Sequence, residues 1–279
     1  MNQAKTTNVS VLDHGYVRLV DAWGREEMES SVGDESIIAA ARMSTDKGFE
    51  GWGPSIQCRH CGSPEQQTVI KHGGCGASGF DCQMGPYGPP GDEKLLRFLW
   101  ENKHATPFEM AGITIEVQAP IFVFREWHRH RVPFGYNEMS ARYTPLPDVN
   151  YIPSVERLML NAGTSNKQAG TIKDSDVLTK ENAERFRRRI GLIYSDAQQL
   201  YEDALASGVP KELARVHLPV GRYSRMRATG NLRGWLGFLT LRMAPNAQWE
   251  IRQFANAVGD LIAHQFPRTW ALFIERKSR

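Results

Sequence analysis

The stretch from Phe124 to Tyr143 constrains this chain more than any other. It carries Arg125, Arg129, Arg131 and Arg142 together with His128 and His130. Charges at this density cannot be buried against apolar side chains, so they need anions or water. Arginine presents a planar fork of donors that matches phosphate and carboxylate. Phe124, Trp127, Phe134, Tyr136, Met139 and Tyr143 are interleaved with the charges. Two readings follow. One is a solvated basic helix end, which is what most charge runs are. The other is a pocket wall, part apolar and part anion-binding. Spacing alone does not separate them.

The chain has 279 residues, of which 41% are hydrophobic and 23% charged. That is globular composition, long enough for one large core or two smaller ones. Mean hydropathy is −0.44, and no apolar run approaches bilayer length. The residues from Met1 to Thr7 lack the apolar centre of a signal peptide, so a cytoplasmic location is expected. The net charge of +3 argues against a general nucleic-acid coat and leaves room for a local anion site.

From about residue 47 to residue 91 the composition shifts to Gly and Pro, with few aliphatic residues. This segment holds every cysteine: Cys58, Cys61, Cys75 and Cys82. Cys58-Arg59-His60-Cys61 is a good zinc half-site, because a tight turn brings both thiolates to one metal. The second half is looser, with six residues between Cys75 and Cys82; His60 and His72 are substitute ligands. Four ordinary buried thiols are the alternative, but a glycine-rich segment has little core in which to bury them. An iron–sulfur cluster is also open. Four protein ligands leave no open position, so the role expected of the metal is structural.

Elsewhere the pattern is ordinary. Residues 9–23 read as a strand pair around Asp13-His14-Gly15. Asp34 and Asp92 each read as the cap of a helix, over residues 35–42 and 93–100. His104-Ala105-Thr106-Pro107-Phe108-Glu109 is irregular, the kind of segment where sites gather. Ile113, Ile115, Val117 and Ala119 alternate with polar residues as in a half-buried strand, and Pro120 leads into a helix. Residues 145–175 are loop-like. A long helix follows over about 177–207, with an apolar stripe through Phe186, Ile190, Ile193, Ala197, Leu200 and Tyr201 that suits a core or a subunit contact.

Between Leu213 and Arg252 there are seven arginines, at 215, 222, 225, 227, 233, 242 and 252, and one acid, Glu250. The region reads as a second anion-seeking surface. Asn246 reads as the cap of a last helix, with Gln248 and Arg252 on one face.

Four motifs in this order resemble the flavin-dependent thymidylate synthase family. They are Ala41-Arg42-Met43-Ser44; His104-x-Thr106-Pro107-Phe108-Glu109; Arg129-His130-Arg131 followed by Asn137-Glu138-Met139-Ser140-Ala141-Arg142-Tyr143; and Arg225, Leu241-Arg242 and Asn246-Ala247-Gln248-Trp249-Glu250-Ile251-Arg252. The likeness covers nearly the whole chain outside the cysteine segment. It implies an α/β (α+β) fold of antiparallel sheet and long helices, one domain over residues 1–279 with a metal-binding insertion at about 50–91. It also implies a homotetramer whose active sites lie at subunit junctions.

The implied chemistry is the reductive methylation of dUMP to dTMP through non-covalent FAD, with methylene-tetrahydrofolate and NADPH as co-substrates. By position, Ser44, Thr106, Glu109, Arg129, His130, Arg131, Glu138, Thr240, Arg242 and Asn246 fall to the flavin. His104, Glu126, Arg129, Glu138, Ser140, Ala141, Arg142, Arg225 and Arg252 fall to dUMP, with Arg252 facing the uracil as the catalytic arginine. Cys58, Cys61, Cys75 and Cys82 would hold structural zinc, and neither nucleic acid nor membrane is an expected partner. Two departures from the family pattern stand out. Residues 132–139 make eight between the triplet and the serine where seven are usual, and Glu126 occupies a position usually glutamine. Two competing readings are a family relative with impaired synthase activity and a zinc-bearing nucleic-acid-binding protein.

Overall fold

The computed structural model describes residues 8–24, 33–58, 84–160 and 178–278. The chain divides into two compact units, Met1–Ala22 with Ile113–Leu261 and Trp23–Gly112 with Ile262–Arg279. The α/β class expected from the sequence is what is found. No helix among the described residues is long and apolar enough to cross a membrane.

The first unit is built on a five-stranded sheet in the order β1-β2-β5-β7-β6. Its strands are β1 (Asn8–Val11), β2 (Gly15–Trp23), β5 (Gly112–Pro120), β6 (Gly135–Glu138) and β7 (Tyr223–Asn231). β1 pairs with β2, and β6 with β7, antiparallel. The first hairpin is tight: a Cβ on Gly15 would lie 2.6 Å from the Val11 carbonyl oxygen and 2.8 Å from the Phe254 ring. Only glycine fits that approach. Period-two alternation sorts the faces. Ile113, Ile115, Val117 and Ala119 of β5 are buried, as are Met226 and Ala228 of β7. Arg225, Arg227 and Thr229 stay exposed on the other face of β7.

The apolar face of the sheet is covered by helices. α3 (Ile121–Trp127), α7 (Leu232–Arg242) and α8 (Trp249–Gln265) bury Trp127, Trp235, Phe238, Ile251 and Phe254. The Trp235 indole N–H donates to the Ile113 carbonyl at 3.1 Å, which ties α7 to β5. α4 (Val155–Met159) is a short helix within a stretch that reads as loop in sequence. α5 (Lys180–Ala206) is capped by the Thr179 hydroxyl, which accepts from the Asn182 N–H. Its stripe is split: Ala183 and Tyr201 are buried, whereas Phe186, Ile193 and Leu200 are 47%, 57% and 55% exposed. α6 (Lys211–Ala214) follows.

The second unit holds α1 (Asp34–Arg42), α2 (Asp92–Glu101), α9 (Pro267–Ser278) and a 3-10 turn at Thr106–Glu109. Asp34 and Asp92 are not local caps. Each is the first residue of its helix, and each carboxylate serves a distant partner. Asp34 accepts from the Arg268 and Thr269 N–H groups and the Thr269 hydroxyl, so it caps α9. Burial pushes its carboxyl above the ordinary value, against those hydrogen bonds. Asp92, fully buried, accepts from Arg42 Nε at 2.9 Å and from the N–H groups of Glu50 and Gly51 at 2.6 and 3.1 Å.

Asp92 thus fixes the root of the glycine- and cysteine-rich segment. From that root rises a ribbon of β3 (Pro54–Cys58) and β4 (Met84–Pro90), paired antiparallel with Cys58 opposite Met84. Cys61, Cys75 and Cys82 lie outside the described residues, so the expected metal site does too. No metal-holding cluster occurs among the described residues.

Removing Asp92 would take the acceptor from the N–H groups of Glu50 and Gly51 and leave Arg42 to the half-exposed Glu50. Asp92→Ala should lower the free energy of unfolding by about 3 kcal/mol. Urea denaturation followed by circular dichroism measures it.

Candidate active site

The basic stretch is anchored by one aromatic side chain. Trp127, fully buried at the end of α3, stacks on Phe238 of α7 with centroids 4.9 Å apart and meets Phe254 of α8 edge-on at 6.3 Å. This pins the helix end and everything that leaves it. His128 N–H closes the helix on the Phe124 carbonyl, and His130 N–H donates to the Trp127 carbonyl at 3.0 Å. His130 is thereby held edge-on to Phe238 at 4.9 Å.

Arg242, the last residue of α7, closes this cluster. Its Nε donates to His130 Nε2 at 2.8 Å, its Nη1 to Glu126 Oε2 at 2.7 Å and its Nη2 to the Glu126 carbonyl at 2.9 Å. The bond to His130 requires an unprotonated Nε2. Burial, then the Arg242 charge, pulls the imidazole from 6.5 down to about 4, against the upward pull of Glu126. His130 is therefore a neutral acceptor at physiological pH.

The loop that follows is seated on two glycines. An added Cβ at Gly234 would overlap the Pro133 ring, and one at Gly230 would lie 2.6 Å from the Phe134 ring. Phe134 also meets Trp235 edge-on at 4.8 Å. Tyr136 on β6 donates its hydroxyl to the His130 carbonyl at 2.6 Å. Burial pushes that phenol well above its ordinary value, so it stays protonated.

The Glu138-to-Arg142 segment continues from β6. Glu138 stands opposite Met226, and the Met139 N–H donates to the Arg225 carbonyl at 2.8 Å. The backbone then turns at Ser140, whose carbonyl accepts from Tyr143 and Thr144. Ala141 is buried. Arg142 makes a 3.4 Å ion pair with Glu212, both side chains more than half exposed. Such a pair is weak and yields readily to a better anion. Arg225 shares the exposed sheet face with Arg227. At 3.8 Å from Arg227, Glu116 accepts from the Tyr16 hydroxyl at 2.7 Å and pairs with Arg18 at 2.8 Å. Burial pushes the Glu116 carboxyl up, but these hydrogen bonds and the two arginines outweigh it and hold it below the ordinary value.

The expected second basic surface is only partly a surface. Arg222 is fully buried and donates to the Pro147 carbonyl, Asp148 and Gln198. Arg242 belongs to the cluster above. Glu250 is buried too, paired with Arg157 at 2.7 Å and accepting from the Tyr151 hydroxyl. α8 begins at Trp249, three residues later than the cap expected at Asn246. Arg252, in its first turn, donates Nη1 to the Pro245 carbonyl at 2.8 Å. The Thr240 hydroxyl donates back to the Leu236 carbonyl, so its hydrogen is spent within α7.

Four of the expected residues belong to the second unit. Ser44 and His104 line one open cleft of about 600 Å³, together with Arg42, Lys94, Leu95 and Phe98. His104 stands edge-on to Phe98 at 5.4 Å. Thr106 and Glu109 begin and end the 3-10 turn. Sequence reasoning missed the support of the cluster, namely Trp235, Phe238, Gly230 and Gly234. The i, i+3 aromatic pair on α7 was its only available signal.

The family described as "Thymidylate synthase complementing protein" matches residues 27–268. A curated relative from Thermotoga neapolitana, named flavin-dependent thymidylate synthase, is 35% identical over 267 residues, 96% of this chain and 94% of that one. One of the same name from Thermosipho melanesiensis is 32% identical over 268 residues, 95% and 93% of the two chains. Among solved structures, a UMP/dUMP methylase from Streptomyces cacaoi bound with 5-Br dUMP has a TM-score of 0.67 at 26% identity. That alignment covers 96% of this chain and 97% of that one.

His130 titrates near 4 when folded and near 6.5 when unfolded, so the unfolded chain takes up the proton first as pH falls. Its contribution therefore lowers stability progressively on acidification through that window. Between about pH 7 and about pH 5 the melting temperature of His130→Asn should fall less than that of the wild type. Differential scanning calorimetry at the two pH values checks it.

Proposed function

Because the chain belongs to the flavin-dependent thymidylate synthase family, we propose that it methylates dUMP to dTMP with methylene-tetrahydrofolate as carbon donor and NADPH as reductant, through bound FAD. Thymidylate synthase activity itself, and with it the class of methyltransferase, follows from the family match and the near-full-length likeness to its members. The observation that carries the reading is the joining of Glu126, His130 and Arg242 into one cluster, from motifs more than a hundred residues apart.

The donor set suits FAD. The flavin nucleotide brings a pyrophosphate and a flat heteroaromatic ring. Arg129 and Arg131 flank His130 and stay exposed, ready for phosphate oxygens. Arg242 supplies a third guanidinium. Glu138 and Asn246, with Ser44, Thr106, Glu109 and the weaker Thr240, complete the residues assigned to the flavin. When bound, the flavin supplies the hydride chemistry.

The dUMP phosphate is assigned to Arg142 and Arg225, with Ser140, Ala141 and Glu138 around it. Among the described residues, the Arg142 side chain has an exposed glutamate to release. His104 and Arg129 are assigned to the same substrate. Arg252 is assigned to the uracil, where a fixed guanidinium stabilises negative charge that develops on the ring carbonyls. No cysteine nucleophile is part of this proposal, since all four cysteines fall between residues 58 and 82.

A homotetramer with shared active sites belongs to the same proposal. So does structural zinc on Cys58, Cys61, Cys75 and Cys82, supported by the C-x2-C spacing alone. A nucleic-acid module is disfavoured, because the net charge is only +3 and Arg222 is fully buried on an internal acid and carbonyl.

The purified chain should show or take up the visible absorbance of a flavin, and dUMP should perturb that spectrum. A colourless protein that cannot be loaded with FAD would refute the reading. Arg252→Ala should keep the flavin and lose at least about 100-fold in turnover. Dithionite-free dTMP formation assays with NADPH measure it, and wild-type rates in that variant would remove Arg252 from its assigned role.

A further inference from the structure

Glu126 is the acid inside the basic stretch. Beside a nucleotide phosphate a lone carboxylate would be repulsive. Its neighbours change that. The Glu126 side chain is 41% exposed and Arg242 only 16%. Each of the three nitrogens of the Arg242 guanidinium has an acceptor: His130 Nε2, Glu126 Oε2 and the Glu126 backbone carbonyl. Three bonds at three corners of a planar group set both its position and its plane. Glu126 supplies two of those three acceptors.

A half-exposed ion pair by itself contributes little to stability. This one differs in geometry. The guanidinium is largely buried, it lies against a neutral imidazole, and α3 and α7 each contribute one side of the grip. The carboxylate is therefore placed where it orders another side chain.

We propose that Glu126 is a positioning residue: it fixes the Arg242 guanidinium and, through it, keeps the His130 ring as a hydrogen-bond acceptor, rather than binding the nucleotide itself. The functional meaning of this inference rests on the reading given above, which assigns His130 and Arg242 to the flavin. The geometric part does not. Glutamine at this position keeps an oxygen for Arg242 Nη1 but not the charge. Alanine keeps neither.

The two substitutions separate positioning from simple charge. Nitrogen-15 NMR of the imidazole reports the titration of His130 in the full-length protein, with or without flavin. The groups that face the ring are Arg242 from α7 and Glu126 from α3, with Tyr136 on the His130 carbonyl. In Glu126→Gln, Arg242 stays and the upward pull of the carboxylate is gone, so His130 should titrate below the wild-type value of about 4. In Glu126→Ala, Arg242 loses its side-chain grip and leaves the ring, so His130 should titrate higher, toward 6.5. Opposite shifts support the proposal. A fall in both variants, or no movement in either, overturns it, because Arg242 would then hold its place without Glu126.

Turnover gives an independent arm. Glu126→Ala should lower kcat for dTMP formation about tenfold with the KM for dUMP changed less than about threefold, and Glu126→Gln should recover most of the loss. In an Arg242→Ala background, Glu126→Ala should have no further effect. A rise in the KM for dUMP at unchanged kcat would instead make Glu126 a direct nucleotide contact and defeat the proposal. Absence of synthase activity in the wild type would defeat the functional reading and leave the NMR result to decide this one.

Discussion

The packing of Trp127, stacked on Phe238 and edge-on to Phe254, is the contact on which the described site depends. It joins the end of α3 to both α7 and α8, and the basic stretch leaves from that end. Truncating a buried tryptophan of this kind costs about 3 to 5 kcal/mol. The more local consequence is geometric. Without the indole, the carbonyl that receives His130 N–H has no fixed place, and the imidazole loses its register with Arg242. An apolar contact thus sets the position of a polar cluster. This is the usual division of labour, since dispersion and burial fix shape and hydrogen bonds select orientation within it.

The electrostatics follow from partial burial. His130 is neutral because its surroundings disfavour a charge and because Arg242 already brings one. The neutral ring can then accept from a guanidinium, a bond a protonated ring cannot make. Elsewhere acids and bases meet in the same economical way. Glu250 receives Arg157 and Tyr151, Asp92 receives Arg42, and Asp34 receives the start of α9. Each buried charge among the described residues has a partner, as the cost of isolating one requires. The guanidiniums of Arg129, Arg131 and Arg225 remain exposed.

Much of this was legible in the residues, and the gaps have physical causes. β5 was readable because its apolar residues alternate with polar ones that do not compete for attention. β7 has the same alternation, but Arg225 and Arg227 drew the eye to charge and hid the strand. Arg222 was unreadable as a core residue, because a charge announces exposure and only tertiary partners reverse it. Asp34 and Asp92 look like local caps, since sequence shows the adjacent helix and not the partners that burial brings. β3 and β4 were hidden by prolines, which argue against a strand except at an edge, and a two-stranded ribbon is all edge. Glu126 and His130 lie close in sequence but give no sign of sharing a partner; Arg242, 116 residues beyond Glu126, joins them only in three dimensions.

The loop seated on Gly230 and Gly234 carries a consequence for descent. Its Pro133 and Phe134 fill the room that side chains at those two positions would need. The loop and the two glycines therefore constrain one another. A lineage that gains a side chain at either glycine must reshape the loop in the same step. A graft of residues 132–139 into a relative without that glycine pair would have no floor on which to lie.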